Sequence, residues 1–272
     1  MRLFFYNCII LILLPILIIR LVIKSLKDKD YLKNFSNRLG LYSEKSYSNV
    51  IWFHAVSLGE VISSQIIVKE LLEDNKVVLS VSTATGLREA KKIYGQKLFV
   101  VYAPWDSIIF INSFLNKFRP KALILFETEI WPSMIHACWK NKIPVILSNA
   151  RLSESSYKKY NLVKLFINKT LNEFSLILAQ SYEHVTRFKA LGVNDNIIFK
   201  VGSSKFDLES NNEFESQDFI LSHDFILAAS THKGEDELII SSYLKLKEEF
   251  KDLKLVIVPR HPERTNSIEE IR

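Results

Sequence analysis

Cysteine is nearly absent from this chain of 272 residues, which has two, Cys8 and Cys138. They show no metal-ligand spacing and Cys8 lies inside an apolar N-terminal run, so neither a disulfide framework nor a zinc site is supported. A reducing compartment is the simplest reading for the main body. Glycine is scarce as well, at seven residues, which reads as compositional drift. No internal repeat or low-complexity tract is present. With 48% hydrophobic residues and ordinary charge density, the chain belongs to the globular class, and its length suits one large core or two modest ones. The net charge of +6 and a pI near 9.1 favour an acidic partner: nucleic acid, anionic lipid headgroups or a phosphorylated substrate. Dispersed basic residues and the lack of any nucleic-acid motif disfavour the first.

Charge itself is missing from Leu3 to Ile19. With Leu21, Val22 and Ile23 past Arg20, the stretch approaches the roughly 20 residues that span a bilayer, so residues 1–24 read as a membrane anchor. No small-x-small cleavage site follows; Arg20, Lys24, Lys27 and Lys29 come instead and outnumber Arg2 ahead of the run. The positive-inside bias then puts the body of the protein in the cytoplasm. Pro15 is compatible with a span, and a buried core helix is disfavoured because the stretch has no polar face. Over residues 25–48, Tyr31, Leu32, Phe35 and Leu39 recur at helical spacing among basic residues. A short helix against an anionic membrane surface and one packed on the first domain account equally well for that pattern.

After Asn49 short apolar runs alternate with amphipathic stretches. Strands are predicted at Val50–His54, Val77–Val81, Leu98–Tyr102, Ala122–Phe126, Val145–Ser148 and Leu176–Ala179. Helical patterns lie between them, such as Val61, Ile62, Ile66, Leu71 and Leu72, or Leu162, Leu165, Phe166 and Leu171. This alternation predicts a doubly wound α/β domain over residues 49–207, with functional residues just past the carboxyl ends of its strands. The polar segment within 208–218 reads as a linker. Over residues 219–272 the pattern restarts with strands Phe225–Ala229 and Leu255–Val258 around a helix Glu235–Phe250, and a last helix begins near Glu263. One βαβ unit cannot bury both faces of its sheet, so this second domain is expected to be incomplete.

Several strand ends carry polar residues that packing does not require. The segment His54-Ala55-Val56-Ser57-Leu58-Gly59-Glu60 holds one glycine, too few for a dinucleotide fingerprint, and no Walker pattern occurs. It leaves a carboxylate, Glu60, at a helix start, where favourable interaction with the helix dipole explains it without any chemistry. Glu127-Thr128-Glu129-Ile130-Trp131-Pro132 places two carboxylates at another strand end, for acid–base work or sugar orientation, or for a helix entry ending at Pro132. Arg151 in Ser148-Asn149-Ala150-Arg151 suits an anion, although a solvated arginine is the ordinary outcome. Lys205 follows a Gly-Ser turn as either a linker lysine or a cationic site residue. Beyond the linker, Ser230-Thr231-His232-Lys233-Gly234 precedes a helix and makes a plausible phosphate nest, with Arg260 and His261 at the adjacent strand end. Six polar strand ends together favour an enzyme that uses anionic ligands.

Taken in order, HAVSLGE, TATGLREA (83–90), YAPWD (102–106), ETEIWP, SNARLS, GSSKFD, AASTHKGE and VPRHPER resemble the Kdo (3-deoxy-D-manno-octulosonic acid) transferases of lipopolysaccharide assembly. The resemblance runs from the apolar N-terminus to the last residues. It implies a GT-B-type inverting glycosyltransferase with two Rossmann-like domains, the second truncated here, which moves Kdo from CMP-Kdo to the lipid A precursor lipid IVA. It implies no cofactor and no metal held by an Asp-x-Asp motif, and a place on the cytoplasmic face of the inner membrane. By that resemblance Glu60 is the general base, and helix-N-terminal placement would keep it ionised. Glu127 and Lys205 correspond to transition-state stabilisers, and Arg260 with His261 to a CMP-contacting pair. Further nucleotide contacts of the family lie beyond Arg272. The chain alone is therefore expected to turn over poorly unless a separately encoded remainder completes it. The alternative is a non-catalytic, membrane-attached module that retains acceptor binding.

Overall fold

The computed structural model describes residues 2–43, 47–204 and 224–271. It divides into two compact units, Met1–Glu209 and Ser210–Arg272. The expected linker 208–218 and Lys205 lie outside the described residues.

The first unit is built on seven parallel strands: β1 (Val50–His54), β2 (Val77–Val81), β3 (Phe99–Tyr102), β4 (Pro120–Phe126), β5 (Val145–Ala150), β6 (Leu176–Ala179) and β7 (Ile198–Lys200). Their spatial order is β3-β2-β1-β4-β5-β6-β7, so the chain winds outward from β1 to one edge, returns to pair β4 with β1, and winds to the other. Side chains alternate across a strand, and adjacent residues of β1 seed two separate cores. Trp52 packs on one face with Phe114, Phe118, Leu123 and Leu125; Phe53 packs on the other with Leu79, Val81 and Phe126. Every residue of β1 and β2 is buried, the signature of a parallel sheet covered on both sides. The covering helices are α2 (Leu58–Ser63), α3 (Gln65–Asp74), α4 (Ala84–Tyr94), α5 (Ile108–Phe118), α6 (Pro132–Lys140), α7 (Glu154–Leu162), α8 (Lys164–Leu171) and α9 (Tyr182–Ala190).

An N-terminal helix, α1 (Arg2–Lys27), belongs to the same unit. It is long and apolar enough to cross a membrane, yet it is not free of the body. Tyr6 Oη donates to Asp106 at 2.8 Å, Asn7 Nδ2 to Ser133 Oγ at 3.1 Å, and the Ile108 amide to Asn7 Oδ1 at 2.7 Å. After α1 the chain forms two 3-10 turns, Lys29–Tyr31 and Phe35–Leu39, in place of the amphipathic helix that the spacing suggested. These turns pack on the body: Phe35 meets Trp105 edge-on at 5.8 Å and Arg38 is buried over the Tyr102 ring.

The second unit contains two parallel strands, β8 (Phe225–Thr231) and β9 (Lys254–Pro259), joined through α10 (Glu235–Glu249) and followed by α11 (Thr265–Glu269). Further details differ from the sequence reading. Edge strand β7 was not anticipated, because three residues are too short a run to show alternation. β4 starts earlier and β5 ends later than their apolar runs, since pairing to neighbours sets strand length. Leu162 and Leu165, part of the helical apolar pattern, are 86% and 75% exposed, while Ile167 and Leu171 turn inward.

Candidate active site

The order of the sheet reverses between β1 and β4, and in open α/β sheets ligands bind at such a crevice, outside the carboxyl ends of the strands. The residues leaving β1 form a tight cap. Ser57 opens α2 and its hydroxyl accepts the Glu60 amide, while Glu60 reaches back, accepting the Val56 amide at 2.6 Å and the Ser57 hydroxyl at 3.1 Å. This is a capping box shifted by one donor. Gly86 at the start of α4 permits the close approach behind it, since a Cβ there would stand 2.9 Å from Thr83 Oγ1 and 3.2 Å from the Ser57 carbonyl carbon.

The residues leaving β4 supply two more carboxylates. Glu127 takes a left-handed backbone, φ 65°, and its amide donates to the Ser148 carbonyl at 2.9 Å, so the chain turns sharply as the strand ends. Two residues on, Glu129 is half-buried and accepts from Trp131 Nε1 at 2.5 Å. Burial lifts the Glu60 carboxyl to about 7 against its hydrogen bonds, and the charge of Glu127 adds to the rise. Burial also lifts Glu129, to about 8, with the charge of Glu60 as the next cause. The helix N-terminus therefore does not keep Glu60 fully ionised, because desolvation outweighs its donors. Glu129 is the second of the two carboxylates expected at this strand end; the family resemblance assigned a role to Glu127 and none to Glu129.

A cavity of about 410 Å³ adjoins this cluster, between α1 and the ends of β1, β2 and β3. Its wall combines Ile10, Leu17 and Met134 with the cations Arg20, Lys24 and Arg38. His54 also lines it, fully buried, with Nδ1 2.8 Å from Ser80 Oγ. Burial pushes this imidazole down to about 4, which keeps it neutral at physiological pH. Asp106 of the YAPWD segment accepts the first amides of α6, Ser133 at 3.1 Å and Met134 at 2.8 Å, besides Tyr6.

The remaining expected residues are placed as follows. Arg151 is exposed just past β5, and its carbonyl accepts the Thr128 hydroxyl. Ser204, next to Lys205, is tied to the β5 end by a 3.2 Å bond from its amide to Asn149 Oδ1 and to α2 by a 3.4 Å bond from its hydroxyl to the Ser63 carbonyl. In the second unit, Ser230 takes a left-handed backbone, φ 65°, and the Arg260 amide donates to the Thr231 carbonyl at 3.0 Å. Ser230, Thr231, Arg260 and His261 thus share one sheet end, with Arg264 pairing to buried Asp236 beneath them.

Against known proteins, residues 33–208 match the family described as 3-Deoxy-D-manno-octulosonic-acid transferase (kdotransferase). The chain belongs to this family. A 3-deoxy-D-manno-octulosonic acid transferase of Haemophilus influenzae is 34% identical over 98% of this chain and 65% of its own length. One of Rickettsia typhi is 32% identical over 87% of this chain and 52% of its own, and a bifunctional glycosyltransferase/methyltransferase of Fusobacterium nucleatum is 33% identical over 89% and 39%. The chain thus spans less than two thirds of these relatives. Among solved structures, UDP-N-acetylglucosamine 2-epimerases share the fold. The Neisseria meningitidis protein bound to UDP-GlcNAc aligns with a TM-score of 0.56 at 16% identity over 82% of this chain and 69% of that one. A putative Listeria monocytogenes epimerase aligns with a TM-score of 0.57 at 12% identity over 82% and 65%. The fold class is α/β of the GT-B type.

Proposed function

We propose that this Kdo transferase family chain serves in the transfer of Kdo from CMP-Kdo to lipid IVA at the cytoplasmic face of the inner membrane, with Glu60 as general base. One observation carries the reading. Glu60 stands at the crevice between β1 and β4 with its carboxyl lifted to about 7, where a base both accepts and releases a proton readily at cellular pH. In the single displacement, Glu60 takes the proton of the acceptor hydroxyl as that oxygen bonds to the anomeric carbon. The bond from that carbon to the phosphate oxygen breaks, and CMP leaves with the electron pair.

Beside burial, the charge of Glu127 raises the Glu60 proton affinity further. Lys205 supplies the opposite charge toward the Kdo carboxylate or the departing phosphate. Arg260 and His261, with the Ser230-Thr231 turn, hold the CMP phosphate. Arg151 faces the acceptor's anionic groups. The apolar wall and cations of the 410 Å³ cavity suit an acceptor that joins acyl chains to phosphates.

The test uses membranes carrying this chain, lipid IVA and radiolabelled CMP-Kdo, with and without an added C-terminal half from the Haemophilus influenzae relative. Turnover is expected to fall at least about a hundredfold in Glu60→Gln, with lipid IVA binding kept within about twofold. Undiminished turnover in that variant removes Glu60 as base. Failure of the parent chain to bind lipid IVA removes the acceptor.

A further inference from the structure

Helix α1 turns one side toward the body, partly across the 410 Å³ cavity, and leaves the other side bare. Leu3, Asn7, Ile10, Leu14, Leu17 and Leu21 recur every three or four residues and are buried or half-buried, which traces one helical face. The opposite face is apolar and bare: Phe4, Phe5, Ile12, Ile16, Ile19 and Ile23 are each more than half exposed. At about 1.5 Å per residue the helix runs for roughly 39 Å. A helix seated on a water-facing body over that distance cannot stand across a bilayer without carrying the body into hydrocarbon.

A second bare apolar feature adjoins it. Between α7 and α8 the chain breaks at Val163, which caps both helices and offers no side-chain hydrogen bond to α8. Helix entries in water favour Ser, Thr, Asp or Asn; here Leu162, Val163 and Leu165 project at 86%, 50% and 75% exposure. The knuckle is continuous with the start of α1: the Phe166 ring lies 5.8 Å from Tyr6, and Leu3, Leu165 and Lys169 line a shared groove. Exposed Lys158, Lys159, Lys164 and Lys169 surround it, and the last three form no ion pair among the described residues. Apolar projections ringed by unpaired cations match an anionic lipid surface.

We propose that α1 lies along the membrane surface, not across it, and that the α7–α8 knuckle is a second point of insertion into an anionic bilayer. This rests on the membrane reading above and assigns it a geometry and a further contact.

Nitroxide labels placed singly at Phe5, Ile12, Ile19, Ile23, Leu162, Leu165 and Glu70 of the full chain test it, in a Cys8→Ser background where Cys138 is buried. Depth is read from accessibility to oxygen against a nickel chelate on phosphatidylcholine vesicles with and without phosphatidylglycerol. With the anionic lipid, the α1 and knuckle labels are expected at similar depths of about 5–10 Å below the headgroups, with Glu70 aqueous. A profile along α1 that passes through the midplane to the far side overturns the in-plane geometry. Aqueous labels at Leu162 and Leu165 with Ile12 immersed overturn the second contact, whereas an aqueous Ile12 removes the membrane reading itself. The double variant Leu162→Asp, Leu165→Asp is expected to bind anionic vesicles about tenfold more weakly with an unchanged circular dichroism spectrum; unchanged binding also counts against the knuckle.

Discussion

The two units obey the same strand–helix–strand grammar and reach opposite results. In the first, β1 and β2 are buried at every residue and helices cover both sheet faces. In the second, β8 and β9 leave Phe225, Leu227 and Val258 about half exposed, and α10 buries only Asp236. Every buried hydrophobic residue among the described ones lies between Leu21 and Ile198. A parallel βαβ pattern therefore specifies local structure well before it specifies a core, because a core needs a second layer on each face.

The largest expected effect probes that contrast directly. Phe114 stacks on Trp52 at 3.9 Å and is fully buried, so Phe114→Ala should cost about 3–5 kcal/mol in denaturant unfolding. Leu238→Ala in α10, where the side chain is 69% exposed, should stay within about 0.5 kcal/mol. Similar losses from both would break the comparison.

Titration gives the next largest effect. The Glu60 carboxyl rises from 4.5 to about 7 on folding, so between those values the folded state holds a proton that the unfolded state has released. Stability then falls as pH rises through this window and is flat above it. Glu60→Gln should melt higher than the parent above pH 7, and the excess should shrink as pH drops toward 4.5. Arg260→Gln, at an exposed position of the second unit, should leave the pH–stability curve unshifted. Thermal melts across pH 4 to 8 decide between them. Ser57→Ala is a smaller loss than Phe114→Ala: removing the α2 cap should cost about 1 kcal/mol, read from urea midpoints.

The sheet was legible in the sequence because long apolar runs bounded by polar residues survive any drift in composition; β1, β2 and β6 sit where those runs stand. What escaped depends on direction, which a linear pattern does not carry. Nothing in Glu127-Thr128-Glu129 says that the backbone reverses at Glu127 and sets the Glu129 carboxylate against Trp131 Nε1. Nor do Leu162 and Leu165 announce that their helix breaks and faces them outward. The YAPWD segment read as part of a functional signature, yet its Asp106 works as a joint between α1 and α6.

That joint bears on how such proteins are handled. Trimming an N-terminal greasy segment is a common route to soluble material, but here the cut would strip Asp106 of its phenol donor and uncover the floor of the crevice beside Trp131. Soluble preparations made that way would report on a loosened scaffold, and weak activity from them would say more about the surgery than about the enzyme.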